Sequence, residues 1–363
     1  MKTMHLAYGH RTDDTRIFKK ECVSLAKSGY EVIFVTSDKI SKETTDQSGV
    51  KRIIVPLRKK NRLTRLYFYL KDLKRLVKKI KPDVCHIHDF QILPFVLIAP
   101  KGVKCIFDSH EDYPADIADT VMKRVNFKLK FDLVTFIEKV CFKKCTHIIT
   151  ATPYIRSEIE KFFSKVTDVN NYPVVGMKEG INAYNSSQIC FTGGTGEASG
   201  LTNVAGAIAN TQYRLVIAGS CSDDYLEKLN SLSEKRIDYL GYLNKKEVDE
   251  LIKGSLAGLV SYLPALNCIH AVPNKMFEYM ECGTPIIYSK FEYWVDMLDK
   301  YDVGIAVNPN DPEEILSAIN TLKNDGSLRE RLAGNAREAV EKVFNWENEE
   351  KKLLNVYDSI MSD

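Results

Sequence analysis

Apolar, strand-like runs alternate with helical patterns along the whole chain of 363 residues. In the first half, strand-like runs are predicted at 4–8, 31–36, 52–55, 84–87, 105–108 and 147–150. In the second half they are predicted at 189–192, 214–218, 237–240, 258–262, 285–288 and 304–307. Such alternation is typical of parallel sheets covered by helices on both faces. The sequence therefore predicts an α/β fold.

A polar interruption separates the two series of strands. The segment 170–173, Asn-Asn-Tyr-Pro, and the polar stretch 178–187 together indicate a linker. A chain of this length also exceeds what one hydrophobic core usually accommodates. We therefore predict two doubly wound, Rossmann-like domains at 1–175 and 186–344, followed by a helical segment at 345–363.

The composition is that of a globular protein, with 44% hydrophobic and 27% charged residues. The longest apolar runs have about half the length of a membrane-spanning helix, and residues 1–10 lack the pattern of a signal peptide. The nine cysteines lie mostly in apolar runs, which suits a reducing compartment. We therefore expect a cytoplasmic protein. Cys141 and Cys145 share a helical face, but no further ligand lies nearby in sequence, so no metal is expected.

Polar side chains follow three strands of the first half directly, at 9–16, 86–89 and 108–112. Five of the seven histidines lie in or beside these strands. Ligands of open α/β sheets bind beyond the carboxyl ends of the strands. A single histidine at a strand end is more often structural than catalytic, but the grouping favours a functional site.

Two segments of the second half are further candidates for a binding site. A short helix after Pro273 carries Glu278 among apolar residues and ends at Gly283-Thr284-Pro285. An acid in this setting needs a partner, either ligand hydroxyls or backbone donors. The glycine-rich turn at 191–200 precedes a helix, so its backbone amides suit an anion such as a diphosphate, although a tight structural turn would have the same composition.

The segment 273–285 resembles the nucleotide-sugar site of family 4 retaining glycosyltransferases of the GT-B fold, the bacterial surface-polysaccharide type. Residues 14–32 resemble the N-terminal signature of that family, and 108–111 its strand-end histidine motif. The resemblance extends in order to 345–347. It implies two doubly wound Rossmann-like domains facing a central cleft, with the helix at 345–363 crossing back to the N-terminal domain.

The resemblance also implies which residues form the site. His110 would contact the donor near its reacting carbon, Glu278 would hold the ribose, and His270 with Asn274 would line the sugar pocket. His86 and His88 match a motif with a structural or acceptor-side role. The remaining donor-binding candidates lie on loops of the second half: Gly193, Gly194, Thr195, Gly219, Tyr242 and Leu243.

Two departures from the family pattern concern charge. Many members place an Arg and a Lys where this chain has Gly194 and Ser199, and each charge-assisted bond contributes about 1.5–3 kcal/mol. We expect Lys275 and Arg16 to replace these cations at the diphosphate. The first Glu of the family's Glu-x7-Glu pair is His270 here.

The segment 51–81 contains 13 Lys and Arg residues and one acid, Asp72. Leucine, valine and isoleucine recur within it at helical spacing, which predicts an amphipathic helix with a cationic face. Such a helix either contacts an anionic membrane at the inner face of the plasma membrane or docks on the core with a solvated basic face. Nothing else in the chain resembles a nucleic-acid-binding module.

The sequence favours a metal-independent hexosyltransferase without cofactor. It would transfer a sugar from a nucleotide diphosphate sugar to a hydroxyl of a growing, lipid-linked glycan, with retention, in surface polysaccharide (O-antigen or capsule) biosynthesis. The main alternative is a catalytically weak GT-B protein that serves as a binding or assembly subunit for a partner transferase. A GT-B epimerase is a third possibility. The sequence does not identify the sugar, the base, the acceptor or the linkage.

Overall fold

The computed structural model describes residues 1–58, 61–120, 126–176 and 184–362. The chain divides into two compact units, Met1–Asn171 with Trp346–Asp363, and Tyr172–Asn345. The division falls inside the segment 170–173 that the sequence indicated as the start of a linker. Residues 177–183 of that predicted linker lie outside the described residues.

Unit 1 is built on an eight-stranded sheet in the order β3-β4-β2-β1-β5-β6-β7-β8. All neighbouring strands are parallel except β3, which runs antiparallel to β4. The strands are β1 (Lys2–Leu6), β2 (Glu31–Asp38), β3 (Lys42–Thr45), β4 (Lys51–Pro56), β5 (Val84–Ile87), β6 (Lys104–Ser109), β7 (His147–Thr150) and β8 (Val166–Asp168).

Helices cover both faces of this sheet. A π-helical segment (Thr15–Cys22) leads into α1 (Val23–Lys27), and a 3₁₀ segment (Phe90–Leu97) follows β5. The α-helices between the later strands are α2 (Arg62–Ile80), α3 (Tyr113–Thr120), α4 (Phe127–Phe142) and α5 (Pro153–Glu160). The side chains of Asn61 and Asn126 cap α2 and α4 by accepting hydrogen bonds from first-turn amides, as helix N-termini require.

Unit 2 is built on a six-stranded parallel sheet in the order β11-β10-β9-β12-β13-β14. Its strands are β9 (Asn185–Thr192), β10 (Arg214–Ala218), β11 (Ile237–Gly241), β12 (Ser255–Val260), β13 (Ile286–Ser289) and β14 (Gly304–Val307). Its α-helices are α6 (Leu201–Ile208), α7 (Asp223–Leu232), α8 (Lys245–Lys253), α9 (Leu266–Ile269), α10 (Asn274–Glu281), α11 (Glu292–Leu298), α12 (Pro312–Asn324) and α13 (Gly326–Lys342). Two 3₁₀ segments, Glu197–Ser199 and Asp299–Tyr301, complete it.

The last helix, α14 (Trp346–Ser362), belongs to unit 1. Leu353, Tyr357 and Ile360 are buried in the same apolar cluster as Leu25 of α1. The indole Nε1 of Trp346 donates a hydrogen bond to Ser24 Oγ at 2.9 Å. Burial of this apolar face holds the C-terminal segment against the sheet of unit 1.

The predicted α/β class and doubly wound sheets are confirmed, and each of the twelve predicted strands is present within a few residues of its predicted bounds. Two strands of the described residues, β3 and β8, were not predicted from the sequence. Strand β3 has the largely exposed, polar sequence Lys-Glu-Thr-Thr, and β8 has only three residues, so neither carries an apolar period.

Each sheet contains a point at which the strand order reverses. Strand β1 lies between β2 and β5, and β9 lies between β10 and β12. The carboxyl ends of the strands at such switch points are the usual ligand sites of doubly wound folds. Among the described residues, no helix is both long and apolar enough to cross a lipid bilayer.

Candidate functional site

The loops after β9, β10 and β11 are joined by backbone hydrogen bonds at the switch point of unit 2. Gly193 N donates to Ala218 O at 2.8 Å, and Thr195 N donates to Ser220 O at 2.9 Å. Gly219 N donates to the Gly241 carbonyl at 2.7 Å. The predicted glycine-rich turn therefore forms one surface with the next two loops, and its Gly193 and Thr195 amides are already used in hydrogen bonds within it.

Glycine is required at two points of this surface. Gly219 has φ +135°, and a Cβ atom there would lie 2.1 Å from the carbonyl oxygen of Gly193. Gly200 has φ +69°, and its Cβ would lie 1.9 Å from the Ser261 carbonyl oxygen. Gly200 is also the N-cap of α6 and offers no side-chain cap, so the partial positive charge of that helix terminus is left for a ligand.

Lys275, the second residue of α10, lies beside this turn. Its side chain is buried, and Nζ lies 3.4 Å from the ring centroid of Phe191 and 5.3 Å from that of Tyr262. A Cβ atom on Gly193 would lie 3.4 Å from Nζ. Within the described part of the chain, Nζ has no hydrogen-bond partner. The ammonium group is thus held at the turn with its donors unused.

The environment of Lys275 alters its protonation. Burial lowers the pKa of the ammonium group to about 7, although the nearby Glu278 carboxylate and Cys190 oppose that effect. A buried cation without a hydrogen-bonded anion is costly, and an anion at Gly193 would supply the missing partner. Of the two predicted replacement cations, Lys275 is therefore the one that lies beside the glycine-rich turn.

Gly194 and Ser199, which stand where the resemblance leads us to expect an Arg and a Lys, contribute no charge here. Ser199 is buried, and its hydroxyl contacts Gly196 O and Tyr225 OH. A Cβ atom on Gly194 would lie 3.2 Å from Ser220 Oγ, so the turn leaves little room for a side chain there. Neither position therefore supplies a cation, whereas Lys275 lies beside the turn.

The other predicted residues of unit 2 occupy α10 and nearby loops. Glu278 is partly exposed and close enough to raise the pKa of Lys275, whereas the buried carboxylate of this helix is that of Glu281. Asn274 is exposed at the start of α10. The ring of His270, after α9, packs edge to face on Tyr293 with centroids 5.7 Å apart.

Two tyrosines of unit 2, Tyr242 and Tyr279, lie in different settings. Tyr242 follows β11 and is largely exposed, and Leu243 beside it is partly buried. Tyr279 on α10 lies under the glycine-rich turn, where its hydroxyl accepts a hydrogen bond from Thr192 N at 2.9 Å. Tyr279 was not predicted as a site residue, because an aromatic residue in an apolar helix is indistinguishable from core in sequence.

In unit 1, Asp108 connects the polar residues at the strand ends. Its carboxylate accepts two hydrogen bonds from Arg16, at 3.0 and 2.8 Å, and lies 3.0 Å from His110 Nε2 and 3.3 Å from His88 Nδ1. Burial alone would raise the pKa of Asp108, but the Arg16 and His110 charges bring it well below its usual range. A charged Asp108 therefore orients the ring of His110, which remains partly exposed.

The structure does not leave Arg16 available for the role predicted for it. Its guanidinium is buried, and besides Asp108 it donates to the carbonyl of Val169 at 2.8 Å and pairs with Glu21 at 3.2 Å. The prediction assigned Arg16, across the cleft, as one of two cations that replace the missing loop charges at a diphosphate. The correction follows from burial, since a buried guanidinium needs carboxylate partners within its own domain.

His10 was part of the predicted strand-end cluster but not a predicted site residue. Its two nitrogens lie 3.0 Å from Asp14 Oδ2 and 2.9 Å from Asp89 Oδ1. Hydrogen bonds to these two carboxylates raise the pKa of His10 to about 10. A partly exposed imidazolium therefore lies at the carboxyl end of β1, with its ring 5.9 Å from that of His110.

His86 and His88 are fully buried, which favours the structural alternative for the motif that they match. With His5 of β1 they form a compact group of rings whose centroids lie 4.4–5.1 Å apart. Tyr357 of α14 contacts this group through its hydroxyl, 3.0 Å from His86 Nδ1.

Comparisons with known proteins match both units. Residues 19–171 match the family model described as Glycosyltransferase Family 4, and residues 182–339 match that of Glycosyl transferases group 1. Two uncharacterized glycosyltransferases of Methanocaldococcus jannaschii are similar in sequence. One is 29% identical over 147 residues, 40% of this chain and 36% of that protein. The other is 21% identical over 257 residues, 65% of this chain and 64% of that protein, so this chain spans less than two thirds of either relative.

Solved structures show the same fold at low sequence identity. Sucrose-phosphate synthase from Thermosynechococcus elongatus superposes with a TM-score of 0.79 at 14% identity, over 100% of both chains. Anabaena HepE in complex with UDP superposes with a TM-score of 0.71 at 12% identity, over 99% of this chain and 100% of that chain. The chain therefore has the GT-B fold, with a first unit that matches the Glycosyltransferase Family 4 model and a second that matches the Glycosyl transferases group 1 model.

Proposed function

We propose that this protein is a glycosyltransferase that moves a sugar from a nucleotide diphosphate sugar to a hydroxyl group. The observation that carries the proposal is Lys275, a buried ammonium group with unused donors beside the glycine-rich turn of unit 2. An anion would neutralise the charge of this ammonium group. The N-terminus of α6, which has no side-chain cap, suits a diphosphate. The family models that match both units support this assignment.

In the proposed mechanism, each side chain of the site has the role that its position suits. Lys275 and the uncapped N-terminus of α6 stabilise the negative charge of the departing diphosphate. Glu278, partly exposed one turn after Lys275 on α10, holds the ribose hydroxyls, and Tyr242 and Leu243 hold the base. Glycosyl transfer passes through a transition state of oxocarbenium character. His110, oriented by Asp108, contacts the donor sugar near its reacting carbon.

We propose further that transfer retains the anomeric configuration, requires no metal in catalysis, and builds a surface polysaccharide. His270 and Asn274 line the sugar pocket in this proposal. Retention and product class rest on the sequence resemblance described above.

The acceptor is proposed to be a lipid-linked glycan because unit 1 carries exposed apolar groups among lysines. On α4, Leu129, Leu133 and Phe136 are 63%, 57% and 64% exposed, and Lys128 and Lys139 lie on the same helix. On α2 the residues Tyr69, Leu73 and Val77 are buried, so most of that helix docks on the core. Its first turns nevertheless expose Leu63 and Tyr67 among basic residues. Such surfaces suit contact with an anionic bilayer.

A catalytically weak binding or assembly subunit is the second candidate. It is favoured by the uncharged Gly194 and Ser199 and by the engagement of Arg16 within unit 1. This candidate predicts nucleotide binding without turnover.

The test is an NMR assay of the full chain with UDP-, GDP- and ADP-sugars. The proposed function predicts slow release of nucleoside diphosphate without acceptor and faster release when a lipid-linked glycan is added. The anomeric coupling constants of the product report retention or inversion. Binding without any release would favour the assembly subunit, and free epimerised sugar nucleotide would favour an epimerase.

A further inference from the structure

A closed group of potential metal ligands lies inside unit 1, behind the strand-end residues. His5 on β1, Glu21 on the π-helical segment, and His86 and His88 at β5 are all fully buried. Each offers one ligand atom, and the four atoms lie within 4.8 Å of one another. We propose that these residues bind one zinc ion as a structural site, in contrast to the metal-free protein that the sequence predicts.

The distances suit a tetrahedral ion. His5 Nδ1 and His88 Nε2 lie 2.9 Å apart, and each lies 3.8 Å from Glu21 Oε2. Zinc bonds of about 2.0–2.1 Å place tetrahedral ligand atoms about 3.4 Å apart, a value between these separations. The ligand atom of His86 lies within 4.8 Å of the other three, so side-chain movements would bring the set onto a common centre.

The outer nitrogens of the three histidines have partners that fix the rings. Tyr357 OH lies 3.2 Å from His5 Nε2 and 3.0 Å from His86 Nδ1. His88 Nδ1 lies 3.3 Å from Asp108 Oδ2. Metal-bound histidines characteristically bond a hydroxyl, carboxylate or carbonyl through the nitrogen that does not touch the metal. Here these contacts leave His5 Nδ1 and His88 Nε2 facing Glu21, and they leave His86 Nε2 without a hydrogen-bond partner among the described residues.

Several inward-facing atoms lack hydrogen bonds within the described residues. They are His86 Nε2 and both carboxylate oxygens of Glu21, of which Oε1 has an ion pair with Arg16 Nε at 3.2 Å. Each unsatisfied buried polar group is costly. A cation at the centre would satisfy His86 Nε2 and Glu21 Oε2, while Oε1 keeps its ion pair with Arg16.

The ligand chemistry selects the metal. Three imidazole nitrogens and one carboxylate suit zinc, whereas magnesium and calcium prefer oxygen ligands. Four protein ligands leave no open position for substrate, so the ion would fix the strands and, through His88 and Asp108, the ring of His110. Its role is structural rather than catalytic.

The test measures metal in the full chain, purified from zinc-supplemented cells and also refolded from denaturant with Zn²⁺ or Co²⁺. We expect close to one zinc per chain and a cobalt spectrum of four-coordinate nitrogen and oxygen ligation. We also expect a higher unfolding temperature with zinc than after refolding with chelator. Each of these readouts uses the wild-type chain and is independent of any variant.

Glu21→Gln and His86→Gln should each weaken zinc binding at least about tenfold. His147→Gln is the matched control, because His147 lies on β7 and its Nε2 contacts Thr167 Oγ1 at 2.9 Å. Circular dichroism checks that the variants fold. The proposal is overturned if the refolded wild type takes up no zinc, if folded ligand variants retain as much as the control, or if cobalt shows thiolate charge-transfer bands from the cysteines.

Discussion

The Nζ atom of Lys275 lies 3.4 Å from the centroid of the Phe191 ring, below the glycine-rich turn of unit 2. The aromatic face offsets part of the cost of burying an ammonium group, but it supplies no hydrogen-bond acceptor. In the proposed function, this ammonium group takes the place of the loop cations that this chain lacks. It also makes binding depend on the protonation of one residue.

Binding of a nucleotide sugar should weaken with rising pH. The pKa of Lys275 is about 7 because the group is buried, so the ammonium form that binds an anion is lost above that pH. Affinity for UDP-glucose, whose phosphates do not titrate in this range, should fall toward tenfold per pH unit above neutrality. Calorimetry between pH 6 and 9 measures this, at constant ionic strength.

Lys275→Met should abolish that pH dependence and weaken UDP-glucose more than uridine. Lys342→Met provides the control, since Lys342 is an exposed lysine on α13 that pairs with Glu338. Equal losses for nucleotide sugar and nucleoside would contradict a phosphate role for Lys275.

Gly219→Ala should disrupt the glycine-rich surface. Its Cβ would lie 2.1 Å from Gly193 O at a φ of +135°, so backbone must move, at a cost of about 1–3 kcal/mol. Gly206→Ala is the matched control, because Gly206 lies within α6 with nothing within 4 Å of a Cβ. The control should gain about 0.5–1 kcal/mol. Urea unfolding and nucleotide titration distinguish the two, and unchanged nucleotide binding in Gly219→Ala would place the ligand elsewhere.

Asp108→Asn should destabilise unit 1 by about 3–5 kcal/mol, because Arg16 is left buried with a weakened partner. The pair Arg214 and Asp238 is a surface counterpart with both side chains over a third exposed, so Asp238→Asn should cost about 0–1 kcal/mol. Denaturant unfolding followed by fluorescence gives both values. If Asp108→Asn costs no more than Asp238→Asn, Asp108 does not connect the strand-end residues as described.

Replacing Leu133 and Phe136 by Glu should reduce binding to anionic vesicles, because both side chains are largely exposed on α4. Leu232→Glu, at an exposed apolar site of unit 2, is the control. Binding of the wild type should also fall as salt rises. Sedimentation with vesicles measures it, and wild-type chains that stay in the supernatant at low salt would exclude the membrane surface.

Sequence alone predicted every described strand except β3 and β8, the polar carboxyl ends of those strands and the helix with Glu278, because each leaves a local pattern of apolar spacing and turn residues. It did not predict that Arg16 and Glu21 are buried. Both are charged residues in a short helical stretch rich in lysine, and only the packing of α14 and the sheet removes them from solvent.

The environment of Lys275 could not be predicted from the sequence either. The prediction that Lys275 lies at the diphosphate came from its place before Glu278, but its burial against Phe191 and Tyr262 depends on residues 84 and 13 positions away. Long-range packing of this kind sets a pKa and leaves no trace in a local pattern.

The central claim is that unit 2 binds a nucleotide diphosphate sugar through α10 and the glycine-rich turn. The most direct measurement is calorimetric titration of UDP, GDP, ADP and their sugar conjugates into the wild type and Glu278→Ala. We predict that one nucleotide binds with micromolar affinity and that the variant loses it, while retaining the unfolding temperature of the wild type. Absence of binding by every nucleotide, or equal binding by a folded Glu278→Ala variant, would contradict the account.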